Sequence, residues 1–127
     1  MVRSSGIMAS VCLLASAVAC TGQPSNVEIQ PAPIHEVTIN FLKTNPVQVS
    51  VHIKLGLRDT CTRFHDIKHS QSGTTITITV TTERETNAIC GQVYTFLEKD
   101  VNLGSKFTSG QTYTVKVNDM TTTFVMP

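Results

Sequence analysis

From Ile34 to the C-terminus, apolar and polar residues alternate with a period of two, the pattern of strands with one buried and one wet face. Val49, Val51, Ile53, Leu55 and Leu57 interleave with Gln48, Ser50, His52, Lys54 and Gly56. Ile76, Ile78 and Val80 interleave with Thr75, Thr77, Thr79 and Thr81, and Tyr113, Val115 and Val117 with Thr112, Thr114 and Lys116. Turn residues punctuate the runs at Thr44-Asn45-Pro46, Ser72-Gly73, Leu103-Gly104-Ser105, Ser109-Gly110 and Asn118-Asp119. The pattern predicts about seven antiparallel strands, roughly 34–42, 46–56, 61–69, 74–82, 90–97, 111–118 and 120–126, the last two forming a tight hairpin. That size and strand count match an all-β, immunoglobulin-like sandwich over residues 34–127, with a barrel as the alternative.

The first third reads differently. Arg3 precedes an apolar run from Ile7 to Ala19 that is too short for the roughly 20 residues of a bilayer span. It ends at Ala17-Val18-Ala19-Cys20, which fits a signal-peptidase site and resembles a bacterial lipobox. Residues 1–19 are therefore expected to be a signal peptide. Residues 20–33, with three prolines and no hydrophobic periodicity, are expected to be a lipidated cysteine and a flexible linker reaching at most about 45 Å from a lipid surface. The expected location is the cell envelope through an acyl anchor on Cys20; a secreted or periplasmic protein is the alternative.

Charge and composition narrow the partners. Without Arg3 the 10 basic residues become nine, matching the nine acidic ones. The chain has no basic tract to bind nucleic acid and none for anionic lipid. Nineteen threonines suit half-exposed strands. Of four cysteines, Cys12 leaves with the signal and Cys20 takes the lipid, so Cys61 and Cys90 are expected to pair in an oxidising compartment.

Candidate chemistry is sparse, and no cofactor is expected. His65 and His69, with His52, are the metal-ligand candidates, but side chains four apart on a strand sit about 13 Å from one another, too far for one ion. Met120 and Met126 are weighed for copper, and Met126 reads as core filler. Glu83-Arg84-Glu85 reads as a charged loop, solvated or a contact surface. Within 90–97 both faces are partly apolar, so Val93 and Leu97 are either covered in a bulged strand or form an exposed patch that docks a partner.

The runs Leu57-Arg58-Asp59-Thr60-Cys61-Thr62, Gly73 to Thr82, Ala88-Ile89-Cys90, Glu98 to Gly104 and Gly110 to Asn118 resemble a group of small uncharacterised bacterial exported proteins. That resemblance covers most of residues 46–126 and implies a disulfide-bearing β-sandwich in the envelope, without implying an activity. The expected function is a non-enzymatic, envelope-tethered module binding a protein or glycan. The alternatives are a zinc- or copper-handling accessory and an inhibitor of exported proteases.

Overall fold

The computed structural model describes residues 26–127, which form eight strands and no helix. In chain order these are β1 Val27–Pro31, β2 Ile34–Leu42, β3 Gln48–Leu57, β4 Thr62–Ser72, β5 Thr75–Glu85, β6 Thr95–Gly104, β7 Thr112–Val117 and β8 Met120–Val125. They build a five-stranded sheet containing β1, β4, β5, β7 and β8, and a three-stranded sheet in the order β2-β3-β6. The all-β sandwich expected from the alternation is therefore present. The expected signal peptide, the lipidation expected at Cys20 and the start of the expected linker lie outside the described residues.

The core follows the same alternation. Val49, Val51, Ile53 and Leu55 of β3 are fully buried against Ile78 and Val80 of β5 and Val115 and Val117 of β7. Burying each such side chain contributes roughly 1.5–3 kcal/mol. Met126 is buried with them, as expected of core filler. One end of the core is closed by Phe107, Tyr113 and Phe124, whose ring centroids lie 4.9–5.8 Å apart. On one open side of the sandwich, Lys99 of β6 reaches across to the other sheet and rests 4.5 Å above the Phe64 ring of β4.

Four expectations need correction. Val27–Pro31, placed in the flexible linker, is a strand paired with Thr81–Glu85, and the Ala32 that follows is buried. The strand drawn over 90–97 instead runs over Thr95–Gly104, because Cys90 and Gly91 are held against the β3–β4 loop by the disulfide and the Thr60 hydroxyl. Glu83-Arg84-Glu85 is not a loop but the last turn-free stretch of β5, flanked by β1 and β4. The sheet is not wholly antiparallel, since β5 and β7 pair in parallel.

That parallel pair creates a junction. β4 occupies one whole edge of β5, while β7 pairs with Thr75–Ile78 and β1 with Thr81–Glu85, so β7 and β1 meet end to end along the other edge. Asn118 splices them. Its backbone sits at φ 53°, its N–H donates to the Ile78 carbonyl at 3.1 Å, and its side-chain oxygen accepts from the Val80 N–H at 2.9 Å. Its amide group donates to the carbonyls of Ala32 at 2.7 Å and Val80 at 3.0 Å. A single side chain thus satisfies the Val80 N–H and the Ala32 carbonyl, which the change of strand would leave unpaired, and adds a second donor to the Val80 carbonyl that already accepts from the Ala32 N–H.

Candidate functional site

Three features gather where β3 ends and the β5–β6 connection returns. The first is a staple. Cys61, just before β4, and Cys90, in the β5–β6 connection, form the expected disulfide, with Cα atoms 5.5 Å apart. It ties two loops at the end of the sandwich, unlike an antibody-type bridge through the core. Beside it, the Asp59 carboxylate accepts hydrogen bonds from Arg84 Nε and the Thr62 hydroxyl, both at 2.8 Å, and from the Cys61 N–H at 3.0 Å. Arg84, with Thr62 next, holds the Asp59 carboxyl down at about 2. Its stabilising contribution is present above the ordinary value and fades as pH falls towards 2. Asp59, Cys61 and Cys90 lie close enough together to suggest a metal centre, but both sulfurs are consumed in the bridge.

The second feature covers the outer face of the three-stranded sheet. Tyr94 and Phe96 are 45% and 53% exposed and pack edge-on at 5.5 Å. His35 stands edge-on to both, its Nε2 hydrogen-bonded to the Tyr94 hydroxyl. Lys54 lies 4.6 Å above the Phe96 ring. Beneath them is Gly56, where a Cβ would fall 1.9 Å from the Tyr94 hydroxyl oxygen and 2.9 Å from His35 Nε2. The glycine lets the two side chains lie down on the backbone. Further along this face His52 is clamped, with Nδ1 2.7 Å from Asp100 and Nε2 2.6 Å from Glu98.

That clamp fixes a charge state. Two carboxylates can both be satisfied only if both ring nitrogens carry hydrogen, so the arrangement favours imidazolium. Hydrogen bonding to Asp100, then to Glu98, accordingly raises the His52 pKa above its ordinary value. A raised folded value means the stabilisation is complete below pH 6.5 and is lost as pH rises through the folded pKa. Urea unfolding of the protein should show stability declining above that point, and His52→Gln should remove that part of the pH dependence. An unchanged profile in the variant would contradict the clamp.

The third feature is a pair of adjoining grooves. One, of about 870 Å3, is lined by Gln30, Pro31, Ala32, Pro33, Ile34, Arg58, Thr79, Asn118 and Asp119. The smaller, of about 270 Å3, is lined by residues that include Glu28, Gln30, Arg58, Asp59 and Arg84. Arg58 forms part of both walls and donates to the Gln30 side-chain oxygen at 3.2 Å. Pro33, in the wall of the larger groove, accepts through its carbonyl from the N–H of Gly56, on which the aromatic cluster rests.

The residues singled out in the sequence are mostly dispersed. Glu83 and Glu85 pair with Arg63 across β4 and β5, at 3.4 and 3.8 Å, while Arg84 belongs to the staple. Val93 is exposed, but Leu97 packs against the core opposite Leu55, so the two do not form one patch. His52 lies in one sheet, and His65 and His69 in β4 of the other. His65 sits at a bulge between Phe64 and Asp66 and reaches the Thr81 hydroxyl at 2.9 Å, while His52 is held by its two carboxylates in the other sheet, so the histidines are not gathered around one ion. Met120 opens β8 opposite Val117. The missed residues are His35, Tyr94, Phe96 and Arg58. Gly56, a glycine in the middle of an alternating strand, was the sequence signal that something lies close upon β3.

The geometry defines a small β-sandwich whose polar side chains are largely committed to structural pairs, with an aromatic surface and an adjoining groove at one end. The profile of the ORF11 beta-sandwich domain matches residues 51–126, and the chain belongs to that family. An uncharacterized 10.2 kDa protein in the HgiCIIM 5' region of Herpetosiphon aurantiacus is 39% identical over 87 residues, covering 68% of this chain and 92% of the relative. A second from the same organism, in the HgiBIM 5' region, is 39% identical over 75 residues, covering 59% and 90%. No solved structure matches the chain.

Proposed function

We propose that the protein is a non-enzymatic, immunoglobulin-like binding module tethered to the cell envelope through Cys20, with its ligand surface on the outer face of the three-stranded sheet. The observation that carries this reading is the exposed ring cluster of Tyr94, Phe96 and His35 laid over Gly56. Aromatic side chains held in place by neighbours lose little conformational freedom on contact and bury much area, which is why such clusters serve as anchors in interfaces. A protein or glycan of the envelope is the partner class this surface suits.

Co-sedimentation with washed envelope fractions tests the surface. The Tyr94→Ser, Phe96→Ser double variant should lose binding by about tenfold or more while keeping its unfolding midpoint, because both rings are largely outside the core. Gly56→Ala should give a similar loss by expelling Tyr94 from its seat. Binding unchanged in both would contradict the assignment. The tether has its own test: Cys20→Ser should move the protein from the membrane fraction to the soluble fraction, and an unchanged distribution would contradict acylation at that residue.

A further inference from the structure

The larger groove lies where a strand is missing. β8 runs beside β7, but the other end of the same edge, formed by β1, has no neighbour among the described strands. The Pro31 to Ile34 segment on one side and the Asn118-Asp119 turn on the other bound this slot. Which β1 groups face it follows from the ladder. The Ala32 N–H donates to the Val80 carbonyl, and the Thr86 N–H to the Asn26 carbonyl, so even-numbered positions bond towards β5. Alternation then turns the N–H and C=O of Val27 and Ile29, and the C=O of Pro31, away from β5 into the open slot. Ile29 is also 48% exposed.

We infer that this slot is an edge-pairing interface filled by β1 of a second copy of the chain, antiparallel and centred on Ile29, which joins the two five-stranded sheets into one. The register is set by what each position offers. With Ile29 opposite Ile29 of the second copy, each donates to the other, and each Val27 N–H meets a Pro31 carbonyl. Every outward donor of the strand is thereby used, and proline falls where only an acceptor is required.

The side chains agree with this register. Ile29 meets Ile29 and Val27 meets Pro31 on one face, while on the other Glu28 lies opposite Gln30 rather than opposite another glutamate. Arg58 already donates to Gln30, and neither Arg58 nor Glu28 has an ion-pair partner among the described residues. Pairing brings Glu28 of one copy beside Gln30 and Arg58 of the other, twice by symmetry. A bare edge strand is also a hazard unless charged, bulged or covered, and this pairing covers it.

Sedimentation equilibrium of the protein as its host processes it, from micromolar to submillimolar concentration, tests the pairing. The protein should form dimers, with amide-exchange protection at Val27 and Ile29 that rises with concentration while the amides along the free edge of β8 are unaffected. Ile29→Pro removes the central donor but no bond to β5, and should weaken dimerisation by about tenfold or more with the monomer still folded. Arg58→Glu should weaken it likewise, and Arg58→Glu with Glu28→Arg should restore it. A monomer throughout the range would overturn the inference. A monomer whose Val27 and Ile29 amides become protected only with another protein would also overturn it, assigning the slot to that partner. A dimer indifferent to Ile29→Pro and to the charge exchange would place the contact elsewhere.

Discussion

Asn118→Ala is expected to cost about 3 kcal/mol of stability, measured as a shift in the urea midpoint at constant slope. Three side-chain hydrogen bonds disappear, to Val80 N–H, Ala32 O and Val80 O, each serving a backbone group at the junction of β7 and β1. The Val80 carbonyl keeps its bond from the Ala32 N–H, but the Val80 N–H and the Ala32 carbonyl lose their partner, and leaving such a group unsatisfied costs roughly 1–3 kcal/mol, partly recovered where water can enter. Alanine must also hold the left-handed backbone that asparagine tolerates, at about 1 kcal/mol. Asn118→Gly removes only the second cost and should recover about that amount relative to alanine. Asn118→Asp keeps an acceptor for Val80 but turns a carboxylate towards two carbonyls, and should be no better than alanine. A loss below about 1 kcal/mol for alanine would mean the junction is not held by this residue.

Removing the bridge should have an effect of similar size. Cys61 and Cys90 are 29 residues apart, and closing a loop of that length is worth about 3.5 kcal/mol in the chain-entropy model. The Cys61→Ala, Cys90→Ala pair should lose about that much, and the loss should appear in equilibrium unfolding under oxidising conditions. The local effect goes further. The disulfide and the Thr60–Gly91 hydrogen bond hold the middle of the β5–β6 connection, from which Val93 and Tyr94 lead into β6. The variant should therefore lose ring order at Tyr94 before it unfolds, visible as narrowed aromatic resonances. A variant as stable as the wild type would show that the Asp59–Arg84 pair and the β-ladders already restrain this end of the sandwich.

The alternation made most of the sandwich legible because it is written in the buried residues themselves. Val49 to Leu55, Ile76 to Val80 and Tyr113 to Val117 face the core as their period requires. The losses occur where a strand owes its existence to a partner rather than to its own pattern. β1 is only five residues long, ends in a proline and leaves Ile29 exposed rather than in the core, and it pairs with residues 50 or more positions away. β6 is an edge strand whose Glu98-Lys99-Asp100 segment resembles a turn, although Lys99 closes the side of the core over Phe64 and Glu98 and Asp100 clamp His52.

Candidate-site residues were harder to read for a related reason. Charged residues in the sequence have no address, so Glu83, Arg84 and Glu85 looked like a loop until two flanking strands claimed them as cross-strand partners. The disulfide was legible because setting Cys12 and Cys20 aside, as the N-terminal pattern suggested, leaves only Cys61 and Cys90 to pair. The ring cluster depended on Gly56, whose meaning appears only once Tyr94 and His35 are seen to occupy the space a side chain would take.

Site-specific photo-cross-linking in living cells tests the proposed ligand surface most directly. A benzophenone side chain replacing Phe96, at the centre of the ring cluster, should give a discrete adduct with an envelope component, abolished by Tyr94→Ser. The same probe replacing Val125, which is similarly exposed at 57% but lies in the other sheet, should give none. Adducts of equal yield at both positions, or none at Phe96, would contradict the assignment of the outer face as the ligand surface.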